Sequence, residues 1–321
     1  MERWTSNGVL FTHHPGEFRG QWRSDGPYET VIRIDRYYGD TRQIRRQMAK
    51  GLLPGTAKLM LAVHDCDRYS FSDTAAPEID RIYFNGHYAG IVSGFDSRDS
   101  VTYVDIPIEW INFPSRPGDV AANRLRIDID TGNSGDVWEL YQYRHELYLP
   151  APLPVYIVHG WTRSLEGVEA LQEELDREYG IPSELAHVEM ELTPLANAAL
   201  MREELKELTA AYGVPRFNII AHSKGGLDSR MLVDPYMLHN GIGMVNAVMQ
   251  VGTPNGGSRL ADIIMEQHNE LDELLYFGAG VTGRGQSPGV HSLRPEVCRR
   301  FNERCCSPAV PVYTIAGSLR N

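Results

Sequence analysis

A chain of 321 residues, 42% hydrophobic and 23% charged, has the composition of a globular protein and a length that fits two domains better than one. Its net charge of −11 excludes an electrostatic hold on nucleic acid, which needs clustered Lys and Arg, and no run approaches about eighteen apolar residues, so no transmembrane helix is expected. The opening residues Met1 to Asn7 lack the basic-then-apolar order of a signal peptide, which leaves a cytoplasmic protein or an exported one whose leader lies outside this sequence.

Residues 1–149 read as strands. Tyr28 to Asp35 alternates, with Ile32 and Ile34 on one face, and Leu125 to Asp130 alternates more cleanly still. Period-two patterning with a charged outer face marks a half-buried antiparallel sheet. Further candidates are Lys58–Val63, Ile79–Phe84, Val101–Ile108 and Val137–Leu149, separated by turn signals such as Asn85-Gly86 and Pro117-Gly118. Short strands at this spacing, almost without helical periodicity, predict an all-β sandwich of jelly-roll type.

Two carboxylate groups in this half have the hard oxygen atoms that suit calcium: Asp65 with Asp67, and Asp128 with Asp130 and Asp136. Alternation already puts Asp128 and Asp130 in water, and the spacing matches no EF-hand loop, so a solvated face is the better reading and no cofactor or metal is expected. Trp110, Phe113, Trp138, Tyr141 and Tyr143 are read as core, with a surface or glycan contact as the competing role. The four cysteines, Cys66, Cys298, Cys305 and Cys306, show no zinc spacing. They are read as free or buried thiols, with a bridge from Cys298 to Cys305 or Cys306 only in an exported protein.

Proline at every second position of residues 150–154 forbids helix and marks a stiff linker. From Val155 the pattern changes. Val155 to Val158 is continuously apolar, as in a strand buried on both faces, and ends at His159-Gly160-Trp161. A helix follows, capped by Ser164, with Val168, Leu171, Leu175 and Tyr179 inward until Gly180-Ile181-Pro182 stops it. The next strand is placed at His187–Leu192, and a helix from about Asn197 to Tyr212 buries Leu200, Leu205 and Leu208. Phe217 to Ala221, Met244 to Val251 and Val310 to Gly317 complete five strands of an α/β domain, doubly wound around a mostly parallel sheet, over 155–321.

The third of these strands runs into Ala221-His222-Ser223-Lys224-Gly225-Gly226-Leu227. A serine flanked at two residues by side chains no larger than methyl, between a strand and a helix, has the layout of a nucleophile elbow. Together with His159-Gly160 after the first strand and Thr253-Pro254-Asn255-Gly256-Gly257-Ser258 after the fourth, it resembles the α/β-hydrolase lipases and esterases of bacteria. The resemblance covers about 160 to 260, and Asn255 stands where that family usually has histidine. It implies a serine ester hydrolase acting on a lipid or other ester, with Ser223 as nucleophile and the backbone N–H groups of Trp161 and Lys224 as oxyanion donors. Acyltransferase, thioesterase and amidase chemistry share this site, and a non-catalytic binding protein is the rival of another class.

In this family the order is Ser, then Asp or Glu, then His. The resemblance therefore implies an acid and a base beyond Asn321, with Asp262 or Asp272 and His291 as weaker alternatives inside the chain. His222 adjoins Ser223 on a tight turn and is rejected as the base. The long segment Asn255 to Ala309 contains an apolar run, Ile263 to Phe277, that reads equally as a lid or as a surface helix.

Overall fold

The computed structural model describes residues 9–13, 27–64, 79–94, 98–128, 141–161, 165–237, 239–266, 287–305 and 308–317. The chain divides into two compact units between Pro152 and Leu153.

The first unit is β-rich. Its strands are β1 (Val9–His13), β2 (Tyr28–Ile34), β3 (Thr56–His64), β4 (Arg81–Phe84), β5 (His87–Ile91), β6 (Asp99–Pro107), β7 (Ala121–Asp128) and β8 (Tyr141–Tyr148). They form two four-stranded antiparallel sheets with the orders β1-β8-β3-β6 and β2-β7-β4-β5, the arrangement that two interlocked Greek keys produce. Alternate residues of both sheets enter one core: Ile32, Ile34, Ile82, Phe84, Leu125 and Ile127 from one sheet, Leu59, Leu61, Ile106 and Leu147 from the other, all at 0% exposure. Each such side chain contributes roughly 1.5–3 kcal/mol by leaving water, which is why the two-residue period was legible. Asn85 and Gly86 both have positive φ (47° and 86°), giving the type I′ turn that the twist of β4 and β5 needs.

Three elements of this unit lie outside the expected set: β1, β5 and helix α1 (Thr41–Ala49). The helix starts with a capping box, in which Asp40 accepts from Gln43 N–H at 2.8 Å and Gln43 accepts from Asp40 N–H at 2.9 Å. Arg42, Arg45 and Arg46 hide its narrow buried stripe, in which only Ile44 and Gln47 are buried. Asp128 pairs with Arg126 at 2.5 Å, and among the described residues no cluster of three metal-ligating side chains occurs. Asp65, Asp67, Asp130, Asp136, Cys66 and Trp138, and the side chains of Tyr141 and Tyr143, lie outside the described part. Trp110 and Phe113 pack on the core.

The second unit is an α/β domain. Strands β9 (Val155–Val158), β10 (Ser183–Leu185), β11 (Phe217–His222), β12 (Val245–Val251) and β13 (Val312–Ile315) make a parallel sheet in the order β10-β9-β11-β12-β13. Helix α2 (Glu166–Glu174), extended by a π-helical turn over Leu175–Tyr179, covers one face, where Val168 and Leu171 meet the neighbours Ile157 and Ile220. Helices α3 (Pro194–Tyr212) and α4 (Gly225–Leu232) cover the other, where the Tyr156 hydroxyl donates to Glu204 at 2.5 Å and Gly225 lies against Val158. Helices α5 (Arg259–Glu266), α6 (Pro288–His291) and α7 (Pro295–Arg304) stand between β12 and β13. No helix among the described residues is long and apolar enough to cross a membrane.

Three sequence expectations are corrected here. The second strand is Ser183–Leu185 and not His187–Leu192, because the backbone of Glu189 bonds the Asn197 side chain rather than a neighbouring strand. Tyr179 is 44% exposed, since the π turn rotates it off the face that Val168 buries. Leu200 is also 44% exposed, because α3 turns Asn197, Ala198, Met201 and Leu205 inward. The residue preceding α2 is Leu165, which gives no side-chain cap; Ser164 lies outside the described residues, as does most of the apolar run to Phe277. Cys298 and Cys305 are buried thiols not bridged to each other, the latter donating to Asp234 at 2.8 Å, and Cys306 is not described.

Candidate active site

Ser223 sits between β11 and α4 with φ at 53°, a left-handed conformation that a residue with a Cβ adopts only at a cost of about 1–3 kcal/mol. Its surroundings hold that strain in place. Ser223 N–H donates to the Val251 carbonyl at 3.0 Å, tying the turn to β12, and the Ser223 carbonyl accepts from Gly226 N–H at 3.0 Å to start the helix.

The flanking glycines are required by close approach. A Cβ on Gly225 would lie 2.5 Å from the His159 carbonyl, one on Gly226 would lie 1.9 Å from Thr253 Oγ1, and one on Gly160 would lie 2.6 Å from Ser223 Cβ. The three sequence motifs thus meet: the His159-Gly160 turn and the Thr253-Pro254 turn press on the elbow from either side.

The Lys224 side chain has a role of its own, separate from its backbone N–H. Lys224 and Asp228 are each 1% exposed, and Lys224 Nζ lies 3.0 Å from both carboxylate oxygens of Asp228. Asn197 Nδ2 donates to the same carboxylate at 2.9 Å. Burial holds the Lys224 ammonium below the usual lysine range and the Asp228 carboxyl above the usual carboxylate range, while each partner opposes the other's shift. The side chain that follows the nucleophile is therefore buried beneath the elbow, and only its peptide faces the serine turn.

The Lys224 N–H takes no acceptor among the described residues and stands at the positive end of α4, a placement suited to stabilising an oxyanion. Trp161 follows Gly160 and packs half-buried against Leu227, Ala261 and Ile264.

Neither Asp262 nor His291 hydrogen-bonds the Ser223 side chain. Among the described residues no side chain hydrogen-bonds its hydroxyl. Asp262 accepts from Arg294 Nε at 2.7 Å, His291 is exposed at the end of α6, and Asp272 is not described. His159 turns its Nδ1 to the Gly160 carbonyl at 2.9 Å, and His222 ends β11 exposed.

A second polar network, which the sequence reading did not include, braces α4 against the Thr253-Pro254 turn. Gln250 Nε2 donates to the Gly226 carbonyl at 2.8 Å, and Asn255 Nδ2 donates to Gln250 at 3.0 Å. Arg230 then donates to Asn255 at 2.9 Å, to Asn302 at 2.8 Å and to the Cys305 carbonyl at 2.9 Å, with its guanidinium over the Phe301 ring at 4.8 Å. The only available signal was Asn255 itself, whose carboxamide accepts from Arg230 and donates to Gln250 at once.

A parallel sheet wound on both faces, with a strained serine on the strand-to-helix turn, gives the second unit the layout of an α/β-hydrolase fold. Residues 154–276 match the family described as Domain of unknown function (DUF7379). Among curated proteins the chain is similar to a triacylglycerol lipase of Pseudarthrobacter phenanthrenivorans, 29% identical over 133 residues, which covers 38% of this chain and 39% of the relative. It is equally similar to a triacylglycerol lipase of Burkholderia plantarii, at 29% identity with 38% and 35% covered. The matched segment thus spans well under half of either relative's length. Among solved structures, the mature Bacillus licheniformis lipase BlEst2 aligns with a TM-score of 0.44 and 23% identity, over 52% of this chain and 66% of that one.

Proposed function

We propose that the second unit is a serine carboxylester hydrolase in which Ser223 forms an acyl-enzyme. The observation that carries this reading is the strained φ of Ser223 on a turn whose neighbours, Gly160, Gly225 and Gly226, leave no room for a side chain. Strain of this kind persists where function needs the residue presented, and the similarity to bacterial triacylglycerol lipases supports an ester as substrate.

In the reaction, Ser223 Oγ attacks the ester carbonyl, its proton passes to a general base, and the carbonyl oxygen becomes an oxyanion facing the N–H groups of Lys224 and Trp161. Collapse expels the alcohol, and water then releases the acid. One such donor is worth about 3–4 kcal/mol in the transition state. Lack of the base lowers turnover by roughly a millionfold in such enzymes.

The test is labelling of the intact chain with a fluorophosphonate, followed by peptide mapping and p-nitrophenyl ester assays. The expected result is an adduct on Ser223 that is absent in Ser223→Ala. Brisk turnover abolished by His291→Ala would place the base in α6. An unlabelled serine with no ester turnover would favour the non-catalytic reading, which the unbonded Ser223 hydroxyl also fits.

A further inference from the structure

We propose that the cavity between α2 and the sheet is the acyl pocket of Ser223, that it takes a short unbranched acyl chain, and that Gly167 sets how much chain it holds; this rests on the acyl-enzyme reading above. The cavity measures about 310 Å³. Ile157, Ile220 and Val251 line it from the sheet, and Val168 and Leu171 line it from α2. Register explains why these residues share one wall: Ile157 is paired with Ile220, and Val251 is paired with His222, two residues further along β11 on the same face.

The cavity is lined by neighbours of the nucleophile, Gly160, His222 and Val251. Gly160 belongs to its wall and also lies so close to Ser223 that an added Cβ would collide with the serine side chain. Val251, another lining residue, holds the Ser223 N–H through its carbonyl. An acyl group bonded to Ser223 therefore has an apolar space beside it, on the face of the sheet away from the Lys224–Asp228 pair.

Size and chemistry select the ligand. Small-molecule pockets run from about 300 to 1,000 Å³, so this one stands at the small end and suits a short chain over a long one. Apart from His159 and His222 at the strand ends, the walls are aliphatic or glycine and favour methylenes, and each one buried raises affinity about fourfold until the space is filled.

Gly167 is the gate. It is the second residue of α2, exposed at the rim of the cavity, and a Cβ built on it meets nothing within 4 Å. A side chain there fits the fold and occupies the entrance.

The experiment is an amide chemical-shift titration of the chain with sodium salts of acetate, butyrate, hexanoate, octanoate and dodecanoate. The expected result is movement of the Val168 and Leu171 signals, with affinity rising from acetate to a mid-length optimum. Gly167→Leu should weaken hexanoate binding at least about tenfold, leave acetate unchanged and keep the melting temperature at or above the wild-type value, because the position is helical and open. Leu171→Ala should move the optimum to a longer acid. Unmoved Val168 and Leu171 signals, or equal hexanoate affinity in Gly167→Leu, overturn the proposal. Alkanoate binding needs no reactive serine, so the two readings fail separately: an unreactive Ser223 with alkanoates bound as expected removes the hydrolase reading alone, whereas a labelled Ser223 with unmoved signals removes the pocket alone.

Discussion

Lys224 Nζ and the Asp228 carboxylate lie 3.0 Å apart with both side chains 1% exposed, directly beneath the turn that presents Ser223. Such a pair gains little net stability over an apolar replacement, but removing one partner strands a charge in the interior. Asp228→Ala is expected to cost about 3–5 kcal/mol in urea unfolding, and the double variant Lys224→Met with Asp228→Leu should recover most of that loss. If the losses of the single variants Lys224→Met and Asp228→Leu simply added in the double variant, the residues would not be acting as a pair.

Glycine at 226 allows the helix to approach Thr253. Gly226→Ala forces overpacking and should destabilise the unit by about 1–3 kcal/mol. Gly160→Ala presses on Ser223 itself, so it should abolish fluorophosphonate labelling while lowering the melting temperature less than Gly226→Ala does. Thermal unfolding and labelling of the two variants, measured side by side, check this.

Arg230 holds Asn255, Asn302 and the Cys305 carbonyl together through a planar fork of donors. A lysine cannot reproduce that geometry. Arg230→Lys is expected to cost about 2 kcal/mol, close to the cost of Arg230→Ala, since each loses most of the charge-assisted bonds. Stability near wild type in Arg230→Lys would mean that charge alone suffices.

Cys298 is fully buried, and burial pushes its thiol from 9.0 up to about 11, partly offset by Arg230. The folded-state value is raised, so the folded state retains a proton that the unfolded chain has lost between those two values. The thiol's contribution is fully present below pH 9 and is lost as the pH rises toward 11. At about 1.4 kcal/mol per pH unit, that is a fall on the order of 2–3 kcal/mol. Urea unfolding at pH 8 and pH 11 should show a smaller fall in Cys298→Ala than in the wild type, the difference isolating this thiol from the tyrosines.

Much of the architecture was legible because burial leaves a period in the chain. Ile32 with Ile34, and Leu125 with Ile127, show a period of two because one face of their sheet is in water. Val155 to Val158 shows none because the strand is covered on both sides. The illegible elements are those whose stabilising contacts are not apolar or not periodic: α1 under its arginines, the three-residue β10, and the exposed Tyr179 and Leu200.

The sequence by itself determined the strand-to-helix serine turn and the motifs on either side of it, because small residues and apolar runs are local properties. Only the tertiary structure decided what surrounds that turn. It put Lys224 and Asn197 on Asp228, led Arg230 to Asn255 and Asn302, left Asp262 with Arg294, and opened a cavity between α2 and the sheet. These partners come from separate elements, and charge, amide and void carry no signature in the chain until packing brings them within hydrogen-bonding distance.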